Sequence, residues 1–347
     1  MGRAIPLTNS QICRYATGNP WNQPLGRLAD FLVEFTISPI TYYLSGPSRL
    51  VSLIGVEAHS RVVHETTPFL RLGTEARLRL CARSCLPASA TIDSDLCSLM
   101  DFRGWHSLYY HWFLDCLPRI LAAEHHQQLT GRPCTLLVPD PLTPWQKESL
   151  HRLGYGGGER ILRYASQCHA NIRTPGLIAF SSHRHQHATE APFDALSPAT
   201  IRQLVTRLCS STDTTSDKDS PRRIFITRNQ ATSRRLINSE AISSHLSSRG
   251  FTSIDLEGLS LSKQIALFRN ASHVIAVHGA ALTNLLYCQH ASVLEIFAQQ
   301  HGIRPDYFQI ASINGLNYCH HVCPSLNDSN DIELDPVVLD AFLDASR

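Results

Sequence analysis

The last third of the chain is predicted to form a doubly wound α/β domain, on three observations. From residue 222, strand-like runs of about six residues alternate with helical segments of about ten, a rhythm typical of parallel strands joined by helical crossovers. The run HVIAV at 273–277 is apolar almost throughout, as expected for a central strand covered on both faces. Residues 210–221 carry no large apolar side chain and end in Pro221, which indicates a linker before this domain.

The elements of this domain follow from the same pattern. We expect strands at 223–227, 251–256, 273–277, 293–297 and 317–322, and helices at 239–249, 261–271, from about 280, around 307–313 and at 336–345. Asn238 or Ser239 is available as the N-cap of the first of these helices, and Ser260 is a candidate N-cap for the second.

The N-terminal half is less regular, and it predicts a second α/β unit. Strands are expected at 134–138, 161–164 and 177–180, and a helix at 144–153. A helix at 112–125 must break or kink at Pro118, which has no N–H to donate. In the first hundred residues the best strand candidates are 51–56 and 77–81. The predicted organisation is therefore an N-terminal domain at 1–209, a linker at 210–221 and a C-terminal domain at 222–347.

Composition restricts the class of function. A formal net charge of +2 over 347 residues argues against a general nucleic-acid-binding protein, which normally has a strong basic excess. The sequence contains neither a secretory signal pattern nor about 18 consecutive apolar residues, so no transmembrane helix is predicted. The eleven cysteines include no CxxC pair. We therefore expect reduced, mostly buried thiols and a cytoplasmic location. None of these features predicts the oligomeric state.

The turn after the central strand is the first candidate ligand site. Ligands of doubly wound sheets bind at the carboxyl ends of the strands, where a helix N-terminus offers unpaired N–H groups to an anion. Small residues in this turn let a phosphate approach the backbone, and two polar side chains can add hydrogen bonds. An ordinary tight turn explains the composition equally well. The candidate residues are His278, Gly279, Ala280, Leu282, Thr283 and Asn284.

Three arginines follow the first strand of the same domain: Arg228, Arg234 and Arg235. Because the carboxyl ends of parallel strands meet at one edge of the sheet, we expect these side chains on the same edge as His278. Guanidinium groups form paired hydrogen bonds with phosphate oxygens, so the arginines suit a diphosphate. A loop of solvated arginines is the alternative.

Other polar clusters are also candidates. His111 and Asp115 are four residues apart and would share a helix face, so that the carboxylate orients the imidazole or either group takes a proton; a surface ion pair is the alternative. Asp93 and Asp95 match an Asp-x-Asp metal-binding pattern, but such acids also form ordinary turns. The alternating His183, His185 and His187 would share one strand face, and a solvated strand end explains them as well. We predict no metal site.

Together these segments resemble glycosyltransferase family 61, which includes plant cell-wall xylosyl- and arabinosyltransferases, protein O-linked GlcNAc transferases and bacterial members. The family pattern comprises an arginine, an Arg-Arg pair, a glutamate near Leu-Ser, the motif His-Gly-Ala-x-Leu-Thr-Asn and Glu-Ile. Upstream, residues 110–115 resemble the family's aromatic-His-x(3)-Asp element. The C-terminal pattern falls here on Arg228, Arg234, Arg235, Glu257, residues 278–284 and Glu295.

The resemblance implies a GT-B arrangement, in which two Rossmann-like, doubly wound domains face each other across a cleft. It implies that the C-terminal domain binds a nucleotide sugar, with a UDP-sugar preferred, and that an inverting transfer proceeds without a metal. Arg228, Arg235 and the turn would then stabilise the charge that develops on the diphosphate. Asp115 is the preferred catalytic base, with His111 binding acceptor or phosphate, and Glu295 binds ribose or is structural.

The predicted function is therefore transfer of a hexosyl or pentosyl group to a hydroxyl of a glycan or lipid-linked acceptor, in synthesis of bacterial surface or capsular polysaccharide. Peripheral contact with a membrane is compatible with such an acceptor. The first alternative is an inactive protein on the same fold that binds a nucleotide sugar or a glycan. A nicotinamide oxidoreductase is the second alternative, but the glycine-rich run at 154–158 follows a predicted helix rather than a strand.

Overall fold

The computed structural model describes residues 3–14, 26–32, 34–37, 39–57, 61–63, 66, 72–180, 195–210, 220–228 and 231–346. The chain divides into two compact units. Unit 1 comprises Met1–Ile12 and Thr36–Leu208, and unit 2 comprises Cys13–Phe35 and Cys209–Arg347. Within the described ranges, every helix is too short or too polar to cross a membrane.

The first 180 residues contain thirteen of the described strands. They are β1 (Arg3–Pro6), β2 (Gln11–Arg14), β3 (Glu34–Ile37), β4 (Thr41–Leu44), β5 (Ser48–Val51), β6 (Ile54–Glu57), β7 (Arg61–Val62), β8 (Ala90–Thr91), β9 (Asp95–Ser98), β10 (Cys134–Pro139), β11 (Ile161–Tyr164), β12 (Asn171–Thr174) and β13 (Leu177–Phe180). The α-helices up to the linker are α1 (Thr74–Ser84), α2 (Tyr109–His111), α3 (Arg119–Thr130), α4 (Pro144–Leu150), α5 (Ser166–His169) and α6 (Pro198–Cys209). Gly26–Phe31 and Trp105–Ser107 are 3₁₀ helices, and Trp112–Cys116 and His151–Tyr155 are π-helices.

Unit 1 is mixed α/β and contains two larger sheets. The six-stranded sheet has the order β1-β4-β13-β9-β10-β11, in which β13, β9, β10 and β11 are parallel and β1 and β4 are antiparallel. The five-stranded sheet, β7-β6-β5-β12-β8, is antiparallel except between β12 and β8. The α/β class is confirmed, but a purely doubly wound N-terminal domain is wrong, because short connections such as β5–β6–β7 pair antiparallel neighbours. Strands β2 and β3 form a separate pair.

Both strand predictions in the first hundred residues are wrong as stated. Residues 51–56 form a hairpin rather than one strand, because Ser52 and Leu53 both have positive φ and reverse the chain between β5 and β6. Type I′ hairpin turns require positive φ at both central residues, and Asn and Gly usually occupy these two positions. Because Ser52 and Leu53 occupy them here, the sequence lacks the usual turn signal. Residues 77–81 lie in helix α1, and only Leu80 of that helix is buried.

The segment around Pro118 changes its helical form twice. Helix α2 continues into the π-helix Trp112–Cys116, and α3 starts directly after Pro118, its N-cap residue. The predicted break at Pro118 is confirmed. The wider π-turn is closed by a hydrogen bond from the Leu117 N–H to the Trp112 carbonyl, and such turns occur frequently at functional sites.

Unit 2 contains the regular alternation that the sequence predicts. Its strands are β14 (Arg223–Ile226), β15 (Thr252–Ile254), β16 (His273–Val277), β17 (Ser292–Ala298) and β18 (Asn317–Cys323). Its helices are α7 (Ser239–Ser247), α8 (Leu261–Asn270), α9 (Asp306–Ile313) and α10 (Pro336–Ala345), with 3₁₀ helices at Ala280–Tyr287 and Gln299–His301. All neighbouring strands are parallel, in the order β15-β14-β16-β17-β18.

This order makes unit 2 a doubly wound sheet and fixes its switch point. The chain moves outward in one direction from β14 to β15 and in the other from β16 to β17 and β18, so the two directions part between β14 and β16. In such sheets, ligands bind in the crevice at the carboxyl ends of the strands that flank this point. The candidate site therefore lies after Ile226 and Val277.

Local features of unit 2 explain its stability. Ile275 of β16 and Leu294 of β17 are fully buried in a core cluster with Ile242 and Phe342, as expected for central strands covered on both faces. The Ser260 hydroxyl accepts a hydrogen bond from the Lys263 N–H, which confirms the predicted N-cap of α8. The helix expected from about residue 280 is present after the central strand as a 3₁₀ helix.

Candidate active site

The two strands at the switch point bring the predicted basic and turn residues together. β14 and β16 pair with Ile226 opposite Ala276, so Arg228 and His278, which follow these strands, leave the sheet at the same edge. The His278 N–H is fixed by the Ile296 carbonyl of β17, at 2.8 Å. The predicted proximity of the arginines and the turn is thus a consequence of parallel pairing.

Gly279 leaves room for the Arg228 guanidinium. A Cβ atom on Gly279 would overlap the Nη1 atom of Arg228 and lie 3.1 Å from its Cζ. The backbone of Gly279 is extended, with φ 172° and ψ 169°, a conformation open to any residue. The glycine is therefore required for space above the turn and not for backbone freedom.

Arg228 and Arg234 converge on the His278 carbonyl oxygen. Nη1 of Arg234 donates to it at 2.9 Å, and Nη1 of Arg228 lies 3.5 Å from it. The same Arg234 nitrogen lies 3.3 Å from Nε2 of His301. Arg234 has a left-handed backbone, φ 54°, which is uncommon for a long side chain. The loop thus holds both guanidinium groups above the turn.

Arg228, Arg234 and Arg304 all act electrostatically on His278 and form an arginine cluster around the turn. In the ranges that the structure describes, no Asp or Glu forms an ion pair with Arg228, Arg234 or Arg304. Burial lowers the pKa of Arg228, and the neighbouring Arg234 lowers it further. Burial also lowers the pKa of His301 to about 4, with a further contribution from Arg234. Arg228 and Arg234 are partly buried and form no ion pair with a described carboxylate, an arrangement that favours an anionic ligand.

Beneath the arginines, His278 belongs to a buried hydrogen-bonded chain. Its Nδ1 lies 2.5 Å from Oε1 of Glu295, and the Tyr318 hydroxyl donates to Oε2 of Glu295 at 2.5 Å. Glu295 and Tyr318 are almost completely buried, and the His278 ring stacks on Phe297 with centroids 4.9 Å apart. Burial lowers the pKa of His278 to about 3 and raises that of Glu295.

Several predicted donor-binding residues also have contacts within the protein. Arg235 forms an ion pair with the buried Asp331, with Nη2 2.6 Å from Oδ2. The Asn284 side chain donates to Gln264 of α8 and is fully buried. Glu295, predicted to bind ribose or to be structural, has no exposed surface.

The remaining predicted turn residues divide by exposure. Leu282 and Thr283 are buried, whereas Ala280 is exposed at the start of the 3₁₀ helix. Glu257 is also exposed, in the loop after β15 at the same edge of the sheet. A cleft of about 320 Å³ opens beside Arg228, lined among others by Thr227, Leu236 and Ile237.

The predicted pair of His111 and Asp115 lies in unit 1. Nδ1 of His111 lies 2.5 Å from Oδ2 of Asp115, with side-chain exposures of 19% and 8%. The His111 ring stacks on Trp105 at a centroid distance of 4.2 Å, and the Arg103 guanidinium lies 3.3 Å above the Trp105 ring. The predicted four-residue contact therefore exists, although Asp115 lies in the π-helix rather than in a regular α-helix.

The weaker candidates do not converge on a site. Asp93 is exposed, whereas Asp95 is buried and binds His126 and Arg132 at 2.7 and 2.6 Å. Residues 183–187 lie outside the described part of the chain. Among the described residues, no group of three or more His, Cys, Asp or Glu side chains is arranged to hold a metal ion.

The sequence alone did not identify the residues between β17 and the first turn of α9, or those of β18. His301, Arg304 and Asp306 influence the pKa of His278 or its neighbours, and Tyr307 lies 5.2 Å from the His278 ring between centroids. Their position at the carboxyl end of a parallel strand was an available signal. Tyr318 carried none, because it lies inside a strand.

Comparison with known proteins decides the family. The profile of the Glycosyltransferase 61 family matches residues 109–294. The chain belongs to the Glycosyltransferase 61 family. The matched region includes His111, Asp115, the arginines after β14 and the turn at His278, and it ends one residue before Glu295. Membership indicates a glycosyltransferase with carbohydrate substrates. A comparison with curated proteins finds no match.

Proposed function

We propose that this member of the family is an inverting glycosyltransferase that uses a nucleotide sugar, a UDP-sugar above all, as donor. The acceptor is a hydroxyl of a glycan or lipid-linked sugar in bacterial surface or capsular polysaccharide. The proposal includes a GT-B arrangement, with units 1 and 2 facing across a cleft, and a cytoplasmic location, in keeping with eleven cysteines that include no CxxC pair.

The observation that carries the proposal is the arginine cluster at the switch point. Arg228, Arg234 and Arg304 lie around a turn that follows a central parallel strand, and no described carboxylate pairs with them. A diphosphate carries the charge that this cluster lacks, and paired guanidinium donors match its oxygens. The adjoining cleft of about 320 Å³ supports binding of a larger molecule than phosphate alone.

The cluster also suits the chemistry of transfer. When the acceptor oxygen attacks the anomeric carbon, the bond from that carbon to the diphosphate breaks and its electron pair passes to the leaving diphosphate. Fixed donors stabilise this charge where it develops. Two or three guanidinium groups supply the positive charge that a divalent cation supplies in other transferases, so no metal is needed in this proposal.

The acceptor hydroxyl must lose a proton, and we assign its removal to the His111–Asp115 pair. From sequence, Asp115 was the preferred base. The geometry favours His111 as the group that meets the acceptor, because Asp115 is more buried and its Oδ2 already binds Nδ1 of His111. Asp115 would then orient the imidazole and stabilise its protonated form.

The donor-binding part of the proposal is tested by thermal shift with UDP, GDP, CMP and their sugars. A ligand at about 100 times its dissociation constant adds about 2.7 kcal/mol to the free energy of unfolding. We expect stabilisation by UDP that is lost in Arg228→Ala and Arg234→Ala and retained in Arg269→Ala, an exposed arginine at the other edge of the sheet. If no nucleotide stabilises the protein, the donor site is wrong.

The transfer part is tested by donor hydrolysis and transfer assays. His111→Ala and Asp115→Ala should abolish transfer and retain UDP binding, whereas Asp93→Ala, which removes an exposed carboxylate of unit 1, should retain both. Wild-type binding without hydrolysis or transfer to any acceptor would instead support the alternative of an inactive nucleotide-sugar-binding protein.

A further inference from the structure

We propose that Glu295 and Tyr318 are positioning residues that share a proton with Nδ1 of His278 and thereby hold Nε2 of His278 as an N–H donor to the diphosphate. The inference rests on the proposed function, since it assigns a role to His278 at the same site. It concerns two buried residues, both of which lie beyond the region that the family profile matches.

The hydrogen-bond chain has a direction. Burial raises the pKa of the Tyr318 phenol well above its usual range, so the hydroxyl keeps its proton and donates it to Oε2 of Glu295. Oε2 is therefore occupied as an acceptor. A proton held by the Glu295 carboxyl must then lie on Oε1, which is 2.5 Å from Nδ1 of His278.

Charge and burial decide how many protons the pair holds. Glu295 has no exposed surface and the His278 side chain is 6% exposed, so an unneutralised carboxylate would be costly there. With two protons the pair has no net charge, whether the inner proton is on Oε1 or on Nδ1. In both arrangements Nε2 carries the second proton. Only loss of one proton, which leaves a buried carboxylate, turns Nε2 into an acceptor.

Because Nδ1 of His278 is engaged by Glu295, Nε2 is the ring nitrogen that remains for a ligand. Nε2 of His278 has no hydrogen-bond partner among the described residues, while the same ring is fixed by its Nδ1 contact and its stacking on Phe297. The charged and titratable groups around the ring are Arg228, Arg234, Arg304, His301, Asp306 and Tyr307. Three of these are arginines, so an anion is the ligand that a further N–H donor serves.

The protonation of the two ring nitrogens of His278 is measured first, in the ligand-free, full-length protein. Nitrogen chemical shifts separate a protonated ring nitrogen from a bare one, and the His278 signals are assigned by their loss in His278→Gln. We expect a protonated Nε2 in the wild type at neutral pH. A bare Nε2 would overturn the inference, and this result does not depend on whether the protein transfers sugar.

Binding of inorganic pyrophosphate is the second readout. Tyr318→Phe removes the hydroxyl that directs the Glu295 proton, so we expect mixed protonation of Nε2 and an affinity lower by about tenfold, the loss of one hydrogen bond to a charged group. Tyr42→Phe is the matched control, because Tyr42 is fully buried and its hydroxyl has no partner in the described chain. Unchanged Nε2 protonation and affinity in Tyr318→Phe would contradict the proposal.

Substitutions of Glu295 keep the test decisive if Tyr318→Phe does not fold. Glu295→Gln can accept from Tyr318 and donate an amide N–H to Nδ1, so it should retain Nε2 protonation and pyrophosphate affinity within about threefold. Glu295→Leu removes both contacts and should lose both. Equal Nε2 protonation and equal pyrophosphate affinity in the two variants would overturn the proposed role of Glu295. If pyrophosphate fails to bind the wild type while Nε2 is protonated, the donor-site proposal fails, whereas the control of Nε2 protonation by Glu295 and Tyr318 is retained.

Discussion

Substitution of Gly279 by alanine separates ligand binding from folding at this site. The new Cβ would overlap Nη1 of Arg228, so the guanidinium must leave its position above the turn. The displaced atom is the end of a flexible side chain, and the extended backbone of Gly279 accepts alanine. We therefore expect the free energy of unfolding to change by less than about 1 kcal/mol, since alanine also reduces the entropy of the unfolded chain.

The expected loss of affinity follows from the contact that is removed. A hydrogen bond to a charged group contributes about 1.5–3 kcal/mol, and about 1.4 kcal/mol corresponds to a factor of ten. Gly279→Ala should therefore weaken binding of pyrophosphate or UDP by about 10- to 100-fold, measured by isothermal titration calorimetry at fixed salt. Gly73→Ala is the matched control, because its Cβ meets no atom within 4 Å and its φ is −65°.

A double-mutant cycle identifies the cause. If alanine at Gly279 acts through Arg228, then Gly279→Ala adds no further loss in an Arg228→Ala background, and the coupling energy equals the effect of the single substitution. Independent, additive losses would refute the steric explanation. Wild-type affinity in Gly279→Ala would refute the assignment of Arg228 to the anion site itself.

Three further predictions use the same structure. Ser260→Ala removes the N-cap of α8 and should lower the free energy of unfolding by about 0.5–2 kcal/mol, measured by urea denaturation. Arg235 holds the pKa of Asp331 well below its usual range, so this carboxylate stabilises the fold above its unfolded pKa of about 4, and its contribution is lost as pH falls through the lower folded value. Arg235→Ala should therefore move the acid-unfolding midpoint to higher pH; an unchanged midpoint would contradict this. Asp115→Asn should reduce kcat for transfer by at least about 100-fold at unchanged UDP affinity, and equal losses in both would contradict a role in proton transfer.

The fold of unit 2 was largely predictable because its signals are local. The strand at His273–Val277 and the helix at Pro336–Ala345 have the predicted bounds, since a continuous apolar run and an Asp-Pro start are visible without any tertiary contact. In unit 1, the alternating Arg-Leu-Arg-Leu at 77–80 imitates a strand, yet the neighbouring helix-forming residues produce α1 and leave Leu78 65% exposed. Local alternation gave the wrong period there.

The candidate site was predictable where a motif lies at a strand end. Arg228, Arg234 and His278 meet because parallel strands order their carboxyl ends along one edge. Arg235 shares the motif, but it pairs with Asp331, a residue 96 positions later in the chain. Nothing local indicates that partner, so adjacent arginines of one motif acquire different surroundings.

The sequence by itself determined the α/β class of unit 2, the succession of its strands and helices along the chain, and the resemblance to the family, because periodicity, caps and motif spacing are properties of contiguous residues. Only the tertiary structure decided which arginines pair with a carboxylate. It buried Glu295 under His278, joined it to Tyr318 from the neighbouring strand and left Arg228 and Arg234 without a carboxylate partner among the described residues. The physical reason is that the burial of a polar side chain and its counter-charges come from residues distant in sequence. Burial and counter-charge together determine whether that side chain stabilises the fold or is available to bind a ligand.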